Sequence, residues 1–181
     1  GMWWKRNTAF EELIAKDQIR ELVHNYSVAV ANRNHDLMIT LFDESASFGS
    51  YGSGKIALRS LMEKTMDDLE FAVIFVNNHT ITIENSSEAS GEVWAKCYAQ
   101  SKEEGYYEQI VKYEDQYRKS SDDADGKTVW KFINRRHLLW FGESRESPLL
   151  QPEARWPIKN IGVGRIPLAD ERVQAFRSGL D

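Results

Sequence analysis

Lys16-Asp17-Gln18-Ile19-Arg20-Glu21-Leu22-Val23-His24-Asn25-Tyr26-Ser27-Val28-Ala29-Val30-Ala31-Asn32-Arg33-Asn34 is the stretch that decides the fold. Ile19, Leu22, Val23, Tyr26 and Val30 recur at the spacing that gathers apolar side chains on one face of a helix. Upstream, Thr8-Ala9-Phe10-Glu11 has the form of a capping box, in which a hydroxyl and a carboxylate satisfy free N–H groups, so the helix is expected to start there. Asn32-Arg33-Asn34 breaks it. Asn34 can cap a second helix over 35–42, whose apolar residues include Leu37, Ile39 and Leu41. Residues 45–50 read as a short strand, 51–54 as a turn, and 55–68 as a third helix with Leu58, Leu61 and Met62 on one face.

From Leu69 onward the period changes. Segments 69–83, 91–100, 106–119 and 128–141 read as strands, separated by the polar loops 84–90, 101–105 and 120–127. Short loops between consecutive strands imply an antiparallel meander. Helices followed by sheet imply an α+β fold, with N-terminal helices packed on a curved, mostly antiparallel sheet. All four prolines lie beyond Gly142. The domain is therefore expected over 7–141, with 142–181 as an extension. Trp156, Ile158, Ile161, Val163 and Ile166 are too apolar for a solvated tail, so the extension is expected to pack on the domain or on a partner subunit, with a last helix over 168–178.

Composition narrows the function classes. With 181 residues and 41% apolar content the chain can bury one sizeable core. A net charge of −5 with interspersed signs argues against a nucleic-acid surface. No apolar run is long enough to span a bilayer, and no basic-then-apolar leader is visible, so a cytoplasmic protein is expected. Cys97 is the single cysteine, which excludes an intramolecular disulfide and a cysteine zinc site. Its strand pattern favours a buried, unreactive thiol. The four histidines form no HxH or HxxxH pair, and Gly162-Val163-Gly164 is too isolated for a phosphate loop, so neither a metal nor a cofactor is expected.

Several short stretches, taken in order, carry a resemblance. They are Asp17-Gln18-Ile19-Arg20-Glu21-Leu22, Leu41-Phe42-Asp43, Gly54-Lys55-Ile56-Ala57-Leu58, and Tyr113-Glu114-Asp115-Gln116-Tyr117 followed by Trp130-Lys131-Phe132. Over about residues 10 to 141 the chain resembles the cystatin-like cone, and more specifically the SnoaL-like superfamily of polyketide cyclases, scytalone dehydratase and hexachlorocyclohexane dehydrochlorinase. In the dehydratase and dehydrochlorinase members the resemblance implies an Asp–His dyad: the Asp follows the first helix and orients a His, which takes a proton from carbon. Carried over, the Asp position falls on Asn32 and the His position on Ile74, four residues before Asn78. Asn cannot balance an imidazolium, and Ile cannot take a proton.

Two histidines are left as candidate bases. His79 lies five residues from Ile74, an odd separation that puts the two on opposite faces unless a bulge intervenes. His137 stands in Asn134-Arg135-Arg136-His137. Strict alternation places Arg136 with Trp130, Phe132 and Trp140, and His137 with Ile133, Arg135 and Phe141. The arginines either pair with Glu108, Glu114 or Asp115 on the neighbouring strand or, as Arg136 would, stabilise an anion in the pocket. Tyr26, Asn32, Asn78, Tyr98 and Tyr113 are the remaining candidates for substrate contact, the tyrosines being equally at home as core residues.

Three functions stay open. One is a cofactor-independent lyase or isomerase of dehydratase type, acting on a small, largely apolar molecule, cyclic or open-chain. Another is a non-catalytic small-ligand-binding domain that has lost the dyad. The third is a structural subunit like the small subunit of aromatic-ring dioxygenases, which shares the cone. A homodimer through the sheet is expected from the resemblance and from strand aromatics such as Trp94, on the face of Tyr98.

Overall fold

The computed structural model describes residues 2–120 and 128–150. Helices α1 (Met2–Ala31), α2 (His35–Thr40) and α3 (Gly54–Met66) precede strands β1 (Leu69–Ile83), β2 (Glu88–Ser101), β3 (Gly105–Ser120) and β4 (Val129–Arg145). The strands form one antiparallel sheet in the order β1-β2-β3-β4. This is the expected α+β meander. The segment 121–127 and the helix expected over 168–178 lie outside the described residues.

The apolar stripe of α1 does what its spacing requires. Ile19, Leu22, Val23, Ala29 and Val30 are buried against the sheet. The helix is already under way at Met2, so Thr8 sits inside it and the capping-box reading of its start is corrected. Its end is a Schellman cap: the Asn34 N–H bonds Ala29 O at 2.8 Å and the Arg33 N–H bonds Val30 O at 3.1 Å. Arg33 occupies the left-handed position, φ 49°, where glycine is usual. Its guanidinium holds it there by donating to Asp67 O at 3.1 Å and to Leu69 O, which ties the helix end to the α3–β1 turn. Asn34 caps α2 as expected, accepting the Leu37 N–H at 3.0 Å.

The strand expected over 45–50 is not one. Ser47 and Ser53 make an isolated bridge around a single 3₁₀ turn, Gly49–Tyr51. Phe42 bridges Phe132 in parallel fashion through Asp43 N–H to Phe132 O (2.8 Å) and Phe132 N–H to Leu41 O (2.9 Å), sealing the outer edge of β4.

Register matters most for function. β2 and β3 pair without interruption, whereas β1 and β4 carry every irregularity. In β1 the pairing passes from Val76↔Ala95 to His79↔Val93, so Asn77 and Asn78 together oppose Trp94. In β4 it passes from Asn134↔Gln116 to Phe132↔Tyr117, leaving Ile133 extra, and from Leu139↔Val111 to Phe141↔Ile110, leaving Trp140 extra. Each bulge reverses which face later side chains take. β4 also runs past the expected end at Phe141. The chain then turns back, and buried Gln100 on the sheet's outer face accepts the Leu149 N–H at 2.7 Å and donates to Leu149 O at 3.2 Å.

Candidate functional site

The inner face of the sheet and α1 enclose the cone. Ile74, Val76, Ile81 and Ile83 of β1 pack against the core beneath α1. His79 joins them because the Asn77–Asn78 bulge shifts its parity. Its Nε2 lies 3.0 Å from Tyr117 Oη, and that hydroxyl donates to Asp115 Oδ2 at 2.8 Å. The other oxygen, Oδ1, lies 3.1 Å from Arg135 Nε, off the line of a hydrogen bond, so the contact is an ion pair. Both side chains of that pair are almost fully buried, Arg135 at 3% exposure and Asp115 at 0%.

Arg135 is surrounded by rings. Its guanidinium carbon lies 3.7 Å from the Tyr113 ring centre, 4.3 Å from Tyr26 and 4.9 Å from Phe132. A cation desolvated on aromatic faces and paired with a carboxylate is compensated on all sides. Cys97 completes the cluster with Sγ 3.9 Å from Tyr113 Oη. The interior is therefore a connected polar chain, His79–Tyr117–Asp115–Arg135, set into packed aromatics.

Electrostatics follow from burial. His79 is lowered from its ordinary 6.5 to about 4, first by desolvation and then by the nearby charges of Arg135, Arg20 and His24. It is neutral at physiological pH. Burial also raises the hydroxyls of Tyr26 and Tyr113 and the thiol of Cys97, which makes that thiol an inert core group. Desolvation holds the Asp115 carboxyl above its ordinary value, and Arg135 and the Tyr117 hydroxyl offset that rise only in part.

The other expected site residues scatter. Tyr26 and Tyr113 lie inside the cluster, their ring centres 5.9 Å apart. His137 is on the inner face, beside Tyr113 at 5.4 Å, but it is exposed and stands at the rim. Strict alternation misplaced the arginines. The Ile133 bulge turns Arg135 inward with Phe132 and leaves Arg136 exposed on the outer face, opposite Glu114. Tyr98 also faces outward, against Phe75. Asn32 is exposed at the end of α1, where it serves the Schellman turn, and Asn78 is exposed at the bulge.

Sequence reasoning missed Tyr117, Asp115 and Arg135 as a site, along with Gly91. A Cβ on Gly91 would lie 2.8 Å from Tyr117 Oη and 2.9 Å from Thr80 O. The missing side chain is thus the slot that the hydroxyl fills. An isolated glycine inside a strand pattern was the available signal, because it marks close approach.

Of depressions of about 880, 740, 580, 320 and 360 Å³ on the described residues, the 580 Å³ one reaches Gly91 and Asp115, and none is lined by His79, Tyr26, Tyr117 or Arg135. No group of three or more metal-ligating side chains occurs among the described residues. No described helix is long and apolar enough to cross a membrane.

Comparison with known proteins agrees with the architecture. A scytalone dehydratase-like protein from Novosphingobium aromaticivorans is similar at TM-score 0.64 and 18% identity, over 87% of this chain and 99% of that one. Hexachlorocyclohexane dehydrochlorinase LinA-type3 from Novosphingobium barchaimii LL02 is similar at TM-score 0.68 and 14% identity, over 80% and 99%. An NTF2-like protein with a cystatin-like fold from Novosphingobium aromaticivorans is similar at TM-score 0.57 and 16% identity, over 74% and 86%. At such identities the likeness shows the fold alone. No curated protein sequence matches. The SnoaL-like domain family does match, over residues 11–136, which is well over half of the chain. The chain belongs to the SnoaL-like family.

Proposed function

We propose that this protein is a cofactor-independent lyase or isomerase in which His79 takes a proton from carbon. The observation that carries this is the histidine itself, inside the cone, neutral, and 3.0 Å from the Tyr117 hydroxyl. A neutral, half-buried imidazole can accept a proton, and its low pKa makes it a weak base. The carbon must then be acidified already, as it is beside a carbonyl or opposite a good leaving group. The charges of Asp115 and Arg135 cancel, which favours a neutral, largely apolar substrate. The names of the scytalone dehydratase-like and dehydrochlorinase structures fit an elimination of this kind.

One observation favours a second reading, a non-catalytic domain: Tyr26, Tyr113, Phe132 and Arg135 fill the middle of the cone. The two readings separate in a deuterium-exchange experiment. Cyclic ketones bearing a β-leaving group are incubated with the protein in heavy water, and NMR follows exchange at the α-carbon. The lyase reading expects exchange or elimination, with a loss of about 10²- to 10⁴-fold in His79→Gln, the usual contribution of a general base. Exchange that survives in His79→Gln would move the base elsewhere, with His137 next in line. No exchange, together with ligand retained in native mass spectrometry, would favour the binding domain.

Pairing of two copies through the outer sheet face is part of the same proposal. Phe75, Trp140 and Phe141 are 56%, 52% and 67% exposed there, an apolar patch that a partner would cover.

A further inference from the structure

We infer that Asp115 is the carboxylate of this site: acting through Tyr117, it fixes His79 as the Nε2–H tautomer and leaves the ring's free lone pair on Nδ1. The inference rests on the lyase reading for its catalytic meaning, but its geometry stands on the free protein.

Counting donors and acceptors gives the tautomer. Asp115 Oδ2 is a carboxylate oxygen with no proton, so the 2.8 Å bond to Tyr117 uses the phenolic hydrogen. The Tyr117 oxygen can then only accept, and the 3.0 Å bond to His79 must use an N–H on Nε2. A neutral imidazole has one N–H, so Nδ1 carries the lone pair. Nδ1 is buried and has no hydrogen-bond partner. A bare lone pair tolerates that position better than an N–H, which would bury an unused donor.

The surroundings maintain this direction. Arg135 lies against Asp115 at 3.1 Å and favours its ionised form, which keeps the phenol donating toward it. Gly91 leaves the space in which the phenol reaches both partners. Asp115 touches neither His79 nor any group that reacts, so it is a positioning residue. The resemblance implies a carboxylate acting directly from the end of the first helix, where this chain has Asn32. Here the carboxylate arrives from β3 through a tyrosine.

The test reads the tautomer without any substrate. Long-range ¹H–¹⁵N correlation on ¹⁵N-histidine-labelled protein at neutral pH distinguishes a protonated from a bare ring nitrogen. Wild type is expected to show His79 with Nε2 protonated and Nδ1 bare, as widely separated nitrogen shifts. Tyr117→Phe removes only the hydroxyl, and there the separation should shrink as the tautomers mix. Asp115→Asn frees the phenol to donate to Nε2 and should move the proton to Nδ1. If Asp115→Asn does not fold, the wild-type and Tyr117→Phe spectra decide. A wild-type Nδ1–H tautomer, or a pattern unchanged in Tyr117→Phe, overturns the inference. Because His79→Gln turnover is scored separately, a correct tautomer without catalysis sinks the lyase reading and leaves this one standing.

Discussion

Ile74 and His79 point to the same side of β1, although five residues separate them. The Asn77–Asn78 bulge opposite Trp94 absorbs the odd count. Ile74 marks where the resemblance would put a base. The chain supplies its imidazole further along the same strand, on the same face.

Acid should destabilise the fold through this histidine. His79 has a folded-state pKa of about 4 against an ordinary 6.5, so between those values the unfolded chain binds a proton that the folded one does not. Its contribution is fully present above pH 6.5 and is lost as pH falls through about 4. After allowance for solvent screening of a part-exposed ring, His79→Gln should remove on the order of 1–2 kcal/mol of that acid sensitivity. Urea midpoints compared near neutrality and near the folded pKa check this. His137, also lowered by desolvation, would leave a residual slope.

Breaking the inner ion pair should cost far more than removing both members. Arg135→Met leaves Asp115 buried without its cation and is expected to lose about 3–5 kcal/mol. Adding Asp115→Asn to it should recover part of the loss, since neither charge then remains. Chemical denaturation of the two singles and the double gives the coupling. Equal, additive losses would show that the charges do not interact.

Gly91→Ala should destabilise by about 1–3 kcal/mol, because its Cβ meets both a hydroxyl and a backbone carbonyl. Tyr117→Phe removes the hydroxyl contact, so Gly91→Ala should cost less in that background. The Thr80 carbonyl contact persists, and some cost remains. Melting temperatures of the four proteins test the pairing.

Arg33 separates strain from bonding. Arg33→Ala keeps the left-handed backbone and loses the guanidinium bonds to Asp67 O and Leu69 O, so it should cost about 1.5–3 kcal/mol. Arg33→Gly loses the same bonds but relieves a left-handed conformation worth about 1–2 kcal/mol, so it should be the milder variant. Equilibrium unfolding ranks them, and a Gly variant worse than Ala would contradict the cap.

Much of the fold was legible because periodicity survives in one dimension. The α1 stripe, the Asn34 cap and the span of β1 follow from spacing and side-chain chemistry. The site was less legible because it depends on parity along strands that slip. Arg135 and Arg136 exchange faces on the strength of one extra residue, Ile133, which no local composition announces. Asp115 was legible as a partner for an arginine, and Arg135 takes it, but Tyr117 looked like an ordinary strand residue, since its partner His79 lies two strands away.

The bulges have a second consequence. All of them fall on β1 and β4, the two border strands of the sheet, while the inner strands β2 and β3 pair evenly. An interrupted, locally twisted border is a poor template for a foreign strand to zip onto. Straightening Asn77–Asn78 or Ile133 in an engineered variant would thus do more than re-aim one side chain. It would also make the sheet's flanks stickier, so that self-association during expression becomes the first symptom of a repaired ladder.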